Sequence, residues 1–185
     1  APVEAAGELD AGDIKPFVLA GSETLLVFCD GRFVPDLSHV GAQPQGVRVH
    51  NRATATGPTE SAIIDSMAAH TLSSGNGFAA LNTAFVRDGA IVTIDADSSL
   101  DDPIQILHMS TGQAGLTTPR TLVSAGAGSH VNVIETFACT SSGTGALTSS
   151  VAEIVVHAGA TVEHTRIHLH GADSLHAGTL HVTEE

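Results

Sequence analysis

Between Phe85 and Val182 the chain echoes itself. The segment F-V-R-D-G-A-I-V-T-I is followed by T-L-V-S-A-G-A-G-S-H-V-N-V-I-E and then by I-V-V-H-A-G-A-T-V-E-H-T-R-I. Each copy carries β-branched residues, a small-residue turn ending in Gly89, Gly128 or Gly159, and a second run of alternating character. Strand units recurring at intervals of roughly thirty to forty residues cannot bury a face alone and do so by stacking, which predicts the coils of a β-solenoid rather than a sandwich of hairpins.

The core of such a ladder must be aliphatic. Aromatic residues are 3 % of the 185, with no Trp and no Tyr, whereas hydrophobic residues reach 42 %. Val, Ile, Leu and Ala suit flat, closely stacked strands. The formal charge of −13, from 20 acidic and 7 basic residues, repels phosphate backbones and anionic lipid, so neither nucleic acid nor a membrane surface is an expected partner. No apolar run is long enough to span a bilayer. Two cysteines far apart, Cys29 and Cys139, suit a reducing cytosol better than a disulfide-stapled secreted domain.

Taken in order, residues 1–82 read as a lead-in and residues 83–185 as the coils. Phe17 to Leu19 form a possible first strand. Asp30-Gly31 between L-L-V-F-C and R-F-V is a hairpin signal, because a two-residue primed turn needs residues that tolerate positive φ. A short strand covers 46–50. A helix spans Thr59 to Leu72, opened at Pro58 or Thr59 with Ile63, Ile64 and Met67 on one stripe, and Phe78–Asn82 is a shorter one. Strands are expected near 83–86, 90–94, 103–109, 120–124, 130–137, 151–157, 161–169 and 178–182. Ile91, Val92, Ile104, Ile106, Leu107, Leu122, Val131, Val133, Ile154, Val156, Val162, Ile167 and Leu169 are the core candidates. After the last strand no helix or polar coil follows before Glu185. An uncovered terminal coil exposes strand edges, so self-association through that end is expected.

Histidine is the one crowded chemical residue type. Six of eleven lie near the end: His157, His164, His168, His170, His176 and His181. His168 and His170 share a strand face, His164 joins them if no bulge intervenes, and His181 on the next coil adds a further imidazole. Residues two apart on a strand are near enough to share a metal. H-x-H is nevertheless a weak motif, and no cysteine or carboxylate stands at a spacing that completes a tetrahedral set, although Glu163 is adjacent. A hydrated polar face is the default, so no catalytic, cofactor-binding or metal-binding residue is assigned. G-N-G-F-A-A from Gly75 imitates a dinucleotide fingerprint but follows a helix instead of a strand. Asp95, Asp97, Asp101 and Asp102 fail the calcium-loop spacing, with Leu100 where glycine is needed and Ile106 where glutamate is needed. No G-x-S-x-G elbow is present.

Several segments together carry a family resemblance. L-L-V-F-C-D-G-R-F-V-P-D-L-S resembles the L-V-F-V-N-G-x-F-x-P-x-L-S stretch of SufD proteins. F-A-A-L-N-T-A-F-V-R-D-G-A-I-V-T-I resembles their entry into a β-helix. D-D-P-I-Q-I-L-H, P-R-T-L-V-S-A-G-A-G-S-H-V-N-V-I-E, T-V-E-H-T-R-I-H-L and L-H-x-G-T-L-H-V follow in family order. The chain thus resembles the SufD branch of the SufB/SufD family of iron–sulfur cluster assembly proteins from Leu25 to Val182. The resemblance implies a right-handed parallel β-helix and a non-catalytic, cytoplasmic scaffold role beside SufB and the ATPase SufC, with no cofactor held stably by this stretch. Family members are longer. The coils that pair SufB with SufD and the helical segment that docks SufC lie beyond Glu185, so SufC binding is expected only of the full-length protein. Two alternatives stand beside this reading: a metal-binding module using the C-terminal histidines, His168 and His170 among them, and, from the enzyme class, a polysaccharide-acting β-helix enzyme. The lack of Trp and Tyr and the single Lys15 argue against it, since such grooves need aromatic platforms and charged residues.

Overall fold

Left-handed turns recur at one spacing. Asp97, Gly128 and Gly159 have φ of 56°, 69° and 71°, and their positions differ by 31. The Asp97 amide donates to the Ala127 carbonyl at 2.8 Å, and the Gly128 amide to the Ala158 carbonyl at 3.0 Å. Each turn is therefore stacked on the next. Aspartate is among the few non-glycine residues that occupy this region readily.

The computed structural model describes residues 8–52, 54, 75–111, 115–140, 146–171 and 173–185; the helix expected over 59–72 lies outside them. The strands are β1 (Thr24–Cys29), β2 (Arg32–Phe33), β3 (His39–Val40), β4 (Val47–Asn51), β5 (Ala90–Ile94), β6 (Ser99–Ser110), β7 (Leu116–Thr117), β8 (Arg120–Ala125), β9 (His130–Cys139), β10 (Leu147–Val156), β11 (Thr161–Leu169) and β12 (Leu175–Glu184). The helices are α1 (Ala11–Ile14) and α2 (Gly77–Phe85).

These strands form two mixed six-stranded sheets. The first runs β11-β9-β6-β1-β2 with β3 beside β1, and the second runs β12-β10-β8-β5-β4 with β7 beside β10. From β8 onward the chain alternates between them, strand by strand. All pairings among β5 to β12 are parallel, with partners such as Ala90↔Thr121, Val151↔Arg120 and Thr161↔His130. The repeat is thus 31 residues over its central part, more regular than the sequence echo indicates. β6 breaks the register once, between Leu100 and Ile104, where Pro103 has no amide to give the ladder. Antiparallel partners begin each sheet: β4 lies against β5, and β2 and β3 against β1. Residues on both sides of position 82 therefore share the same sheets.

The main core lies between the sheets. Leu26, Phe28, Ile104, Ile106, Val131 and Val133 from the first meet Val49, Val92, Ile94, Val123 and Ile154 from the second. Burying one such side chain stabilises by about 1.5–3 kcal/mol. A second cluster sits on the outer face of the first sheet, where Leu25, Val27, Leu107 and Met109 are covered by Ile14, Leu9, Phe17 and Val18. The outer face of the second sheet is covered by α2. Asn82, fully buried, donates to the carbonyls of Pro119 (2.8 Å) and Ser149 (2.7 Å).

The β1–β2 hairpin forms as expected, with Asp30 and Gly31 both at positive φ (48° and 78°). Other local expectations are corrected. Lys15–Phe17 is a 3-10 turn, not part of a strand, because Pro16 fixes φ and supplies no ladder donor. Thr83–Phe85 continue α2 instead of forming a strand: Asn76 caps the helix by accepting from the Phe78 and Ala79 amides, and Asn82 then fixes it to the sheet. Leu169 is 50 % exposed rather than core, because alternation along β11 places it opposite the inward-facing His168. The turn equivalent to Gly128 in the first copy is Asp97, not Gly89.

Gly89 has another reason to be glycine. A Cβ there would stand 2.4 Å from the Arg120 carbonyl oxygen and 3.1 Å from its carbon, atoms of the backbone that cannot turn aside. Gly89→Ala is expected to cost about 1–3 kcal/mol, read as a lowering of Tm by several degrees. An unchanged Tm would show that the strands separate freely here.

Candidate functional site

The space between the sheets changes character along the strands. On β9, alternate residues Val131, Val133, Glu135 and Phe137 face inward, as the period of two requires. Their register partners are Ile104 and His108 on β6, and Val162, His164, Arg166 and His168 on β11. One end of the interior is therefore aliphatic, and the other holds charged and aromatic groups.

Parallel, in-register strands bring like positions into columns about 4.8 Å apart. One such column is Phe28, His108, Phe137 and His168. Its ring centroids are separated by 5.2, 4.9 and 5.2 Å, and the last two pairs are stacked. Offset stacking of this kind contributes about 0.5–1.5 kcal/mol per pair beyond area burial.

Glu135 is the hub beside this column. It is 1 % exposed and accepts from Thr121 Oγ1 at 2.5 Å, His164 Nε2 at 2.9 Å and Arg166 Nε at 2.9 Å. His108 Nε2 lies 3.6 Å away, beyond hydrogen-bond distance. Burial pushes the Glu135 carboxyl up, but His108, His164 and Arg166 together outweigh it and hold the group well below the usual carboxylate range. Arg166 also donates from Nη2 to the Thr179 carbonyl (3.4 Å) and lies 6.0 Å over the Phe137 ring. Gly178 leaves room for it, since a Cβ there would come within 3.0 Å of Arg166 Nη1.

His168, His170 and His176 gather at the edge of this region, with one ring nitrogen from each within 4.8 Å of the others. His168 and His176 centroids are 4.4 Å apart at 83°, and His170 lies 5.3 Å from His176. His176 Nε2 is hydrogen-bonded to Ser150 Oγ at 2.7 Å, while its Nδ1 is buried without a hydrogen-bond partner among the described residues. Burial, then His168 and His170, push His176 down to about 3. Burial followed by His168 lowers His170. The three imidazoles border an open cleft of about 540 Å³, shared with Arg166, Gly171, Ser174 and Gly178.

The expected pairing of His168 with His170 is present. His164 is taken by Glu135, and His181 is in register with Glu153 on β10, which faces away from the interior. The third imidazole comes instead from His176. The chain alternates between sheets, so the strand after β11 lies across the interior from it rather than alongside. Glu135 carried one signal in the sequence, a glutamate at the inward phase of V-N-V-I-E. Cys29 and Cys139 form no disulfide. Asp95 holds Arg48 through two contacts of 3.0 and 2.8 Å, as suits a solvated turn; that hydrogen bonding, against slight desolvation, lowers its carboxyl.

A second buried polar group lies under α2. Arg120 (6 % exposed) and Glu153 (1 % exposed) form a close ion pair. Arg120 Nη1 also donates to Asn82 Oδ1 at 3.1 Å and Thr83 Oγ1 at 2.9 Å. Neither residue stood out in the sequence.

Parallel strands repeating across two sheets, with a charged and aromatic end to the interior, define a β-repeat protein with a polar inner site. Comparison with known families specifies it further. Residues 18–106 match the model of the SufBD protein N-terminal region, and residues 108–185 match the SufBD core domain of the SUF system for FeS cluster assembly. An iron–sulfur cluster assembly SufBD family protein of Synechocystis is 26 % identical over 187 aligned positions, covering 95 % of this chain and 41 % of that protein. Counterparts from Staphylococcus epidermidis and Staphylococcus haemolyticus are each 35 % identical over 92 residues, half of this chain and 20 % of theirs. The chain belongs to the SufB/SufD family, and its matches span less than half the length of these relatives. No helix among the described residues is long and apolar enough to cross a membrane.

Proposed function

We propose that this chain is part of a SufD-type subunit, a non-catalytic scaffold on which SufB and SufC assemble iron–sulfur clusters in the cytoplasm. The observation that carries this reading is the pair of adjoining family matches over 18–106 and 108–185. Cluster assembly follows from the family; the SufD branch is favoured by the ordered segments from Leu25 to Val182. In this reading the alternation of strands between sheets is the winding of a right-handed β-helix, a stiff frame suited to holding partners at fixed separation. Iron and sulfur are cargo of the complex. Neither ATP hydrolysis nor sulfur mobilisation is assigned to this chain.

The test is co-expression of the full-length protein that contains this chain with the SufB-like and SufC-like proteins of the same source. A tag on this protein is expected to recover all three in a stable complex. Recovery of this protein alone, with SufB and SufC found together without it, overturns the proposal.

A further inference from the structure

We propose that His168, His170 and His176 form a three-imidazole site for a divalent transition-metal ion of the zinc(II) or iron(II) class. Two of the ligands come from the end of β11 and the residue after it, and the third from β12 of the opposite sheet. The site therefore bridges the two sheets and is completed only by folding.

The donor atoms already lie within 4.8 Å of one another. Bonds of about 2.0–2.1 Å in a tetrahedral arrangement bring such atoms to about 3.3 Å, a closure of roughly 1.5 Å that side-chain torsions supply. Imidazole is the donor type shared by zinc, iron, nickel and copper sites. Metal-binding histidines are commonly fixed by a hydrogen bond from the second ring nitrogen. His176 fits this arrangement: Ser150 Oγ is hydrogen-bonded to Nε2 at 2.7 Å, and in the tautomer in which Nε2 donates to it, Nδ1, buried and without a hydrogen-bond partner among the described residues, carries the free lone pair.

Arg166 borders the same cleft, and its charge opposes a cation. Glu135 Oε2 neutralises it from 2.9 Å. Among the described lining residues, Gly171, Ser174 and Gly178 present little bulk, so a fourth position is open to water or another small ligand. Three imidazoles and one open position are the arrangement of open zinc sites rather than of closed structural ones. The inference does not depend on the assembly reading. A SufD-type scaffold without this metal and a metal-binding β-repeat protein outside any Suf complex are both distinguishable outcomes.

The experiment uses untagged protein, stripped with a chelator and titrated with Co(II) as the probe. One equivalent is expected to bind, with the visible absorption of a low-coordinate Co(II)–imidazole site, and Zn(II) should displace it. His168→Ala, His170→Ala and His176→Ala should each abolish stoichiometric binding. Ser150→Ala should weaken it by about 10–100-fold. His157→Ala and His181→Ala should leave it unchanged. X-ray absorption of the Zn(II)-loaded wild-type protein tests the ligand set without relying on any variant's folding, and should show imidazole scattering with nitrogen at about 2.0–2.1 Å. Absence of stoichiometric uptake, a bound metal without imidazole scattering, or binding removed by His181→Ala overturns the proposal.

Discussion

Glu135→Ala is expected to destabilise the protein by about 3–5 kcal/mol, the usual consequence of removing one partner from a buried ionic cluster. The magnitude follows from what is left behind. Arg166 and His164 lose the acceptor that holds each at 2.9 Å, and Thr121 loses the one at 2.5 Å. The position is 1 % exposed, so water cannot replace the carboxylate without opening the strands. Glu135→Gln preserves shape and should cost less, leaving chiefly the loss of charge. Urea denaturation of the three proteins measures the difference, and an alanine cost below about 1 kcal/mol would show that the cluster is already solvated.

The same cluster sets the response to acid. Glu135 has a folded pKa well below its unfolded value of 4.5, so its contribution is present above about 4.5 and is lost as pH falls through the depressed folded value. His176 is lowered from 6.5 to about 3. The unfolded chain takes up that proton as pH drops below 6.5, whereas the folded protein does so only near 3. Both differences leave more protons on the unfolded state, so stability declines on acidification. The urea midpoint should fall from about pH 6.5 downward and more steeply below 4.5. In His176→Asn the first part of the decline should be smaller, and a midpoint that rises on acidification would contradict the assignment.

Glu153→Ala is the second large effect, also about 3–5 kcal/mol. It strands Arg120, 6 % exposed, with only the neutral partners Asn82 and Thr83. Because those partners belong to α2, the loss should appear locally as faster amide exchange in residues 77–85. Arg120→Met should also destabilise, since it leaves Glu153 buried and unpaired. Combining Arg120→Met with Glu153→Leu removes both charges and should cost less than the two single changes together, with a coupling of about 1–3 kcal/mol. Additive costs would show that the pair acts independently.

Which parts were legible in the sequence follows from the range of the forces involved. Local chemistry was readable. Asp30-Gly31 produced its turn because its positive φ values depend on those two residues, and the strands from 90–94 through 161–169 appeared where β-branched residues alternate. The helix α2 was only half visible. Its continuation over Thr83–Phe85 depends on Asn82 reaching the Pro119 and Ser149 carbonyls, which are 37 and 67 residues away. The last strands show the same division: that His168 and His170 share one face of a strand was visible locally, but which face turns inward was not, and Ile167 and Leu169, expected in the core, lie on the outer face while His168 is in register with the inward Phe137.

The amino-acid sequence by itself determined the family, the alternation within the strands and the pairing of His168 with His170, because each rests on residue identity or on neighbours within one strand. Tertiary structure decided which strands face each other. Alternation between two sheets, a property of the whole winding, set His176 opposite His168, drew His164 to Glu135 and turned His181 away. The regular spacing of Asp97, Gly128 and Gly159 was likewise hidden in one dimension, since Gly89 imitates the turn residue while serving close strand approach. A loose echo of β-branched runs thus becomes, once stacked, a regular frame whose interior changes from aliphatic to ionic within the length of one strand.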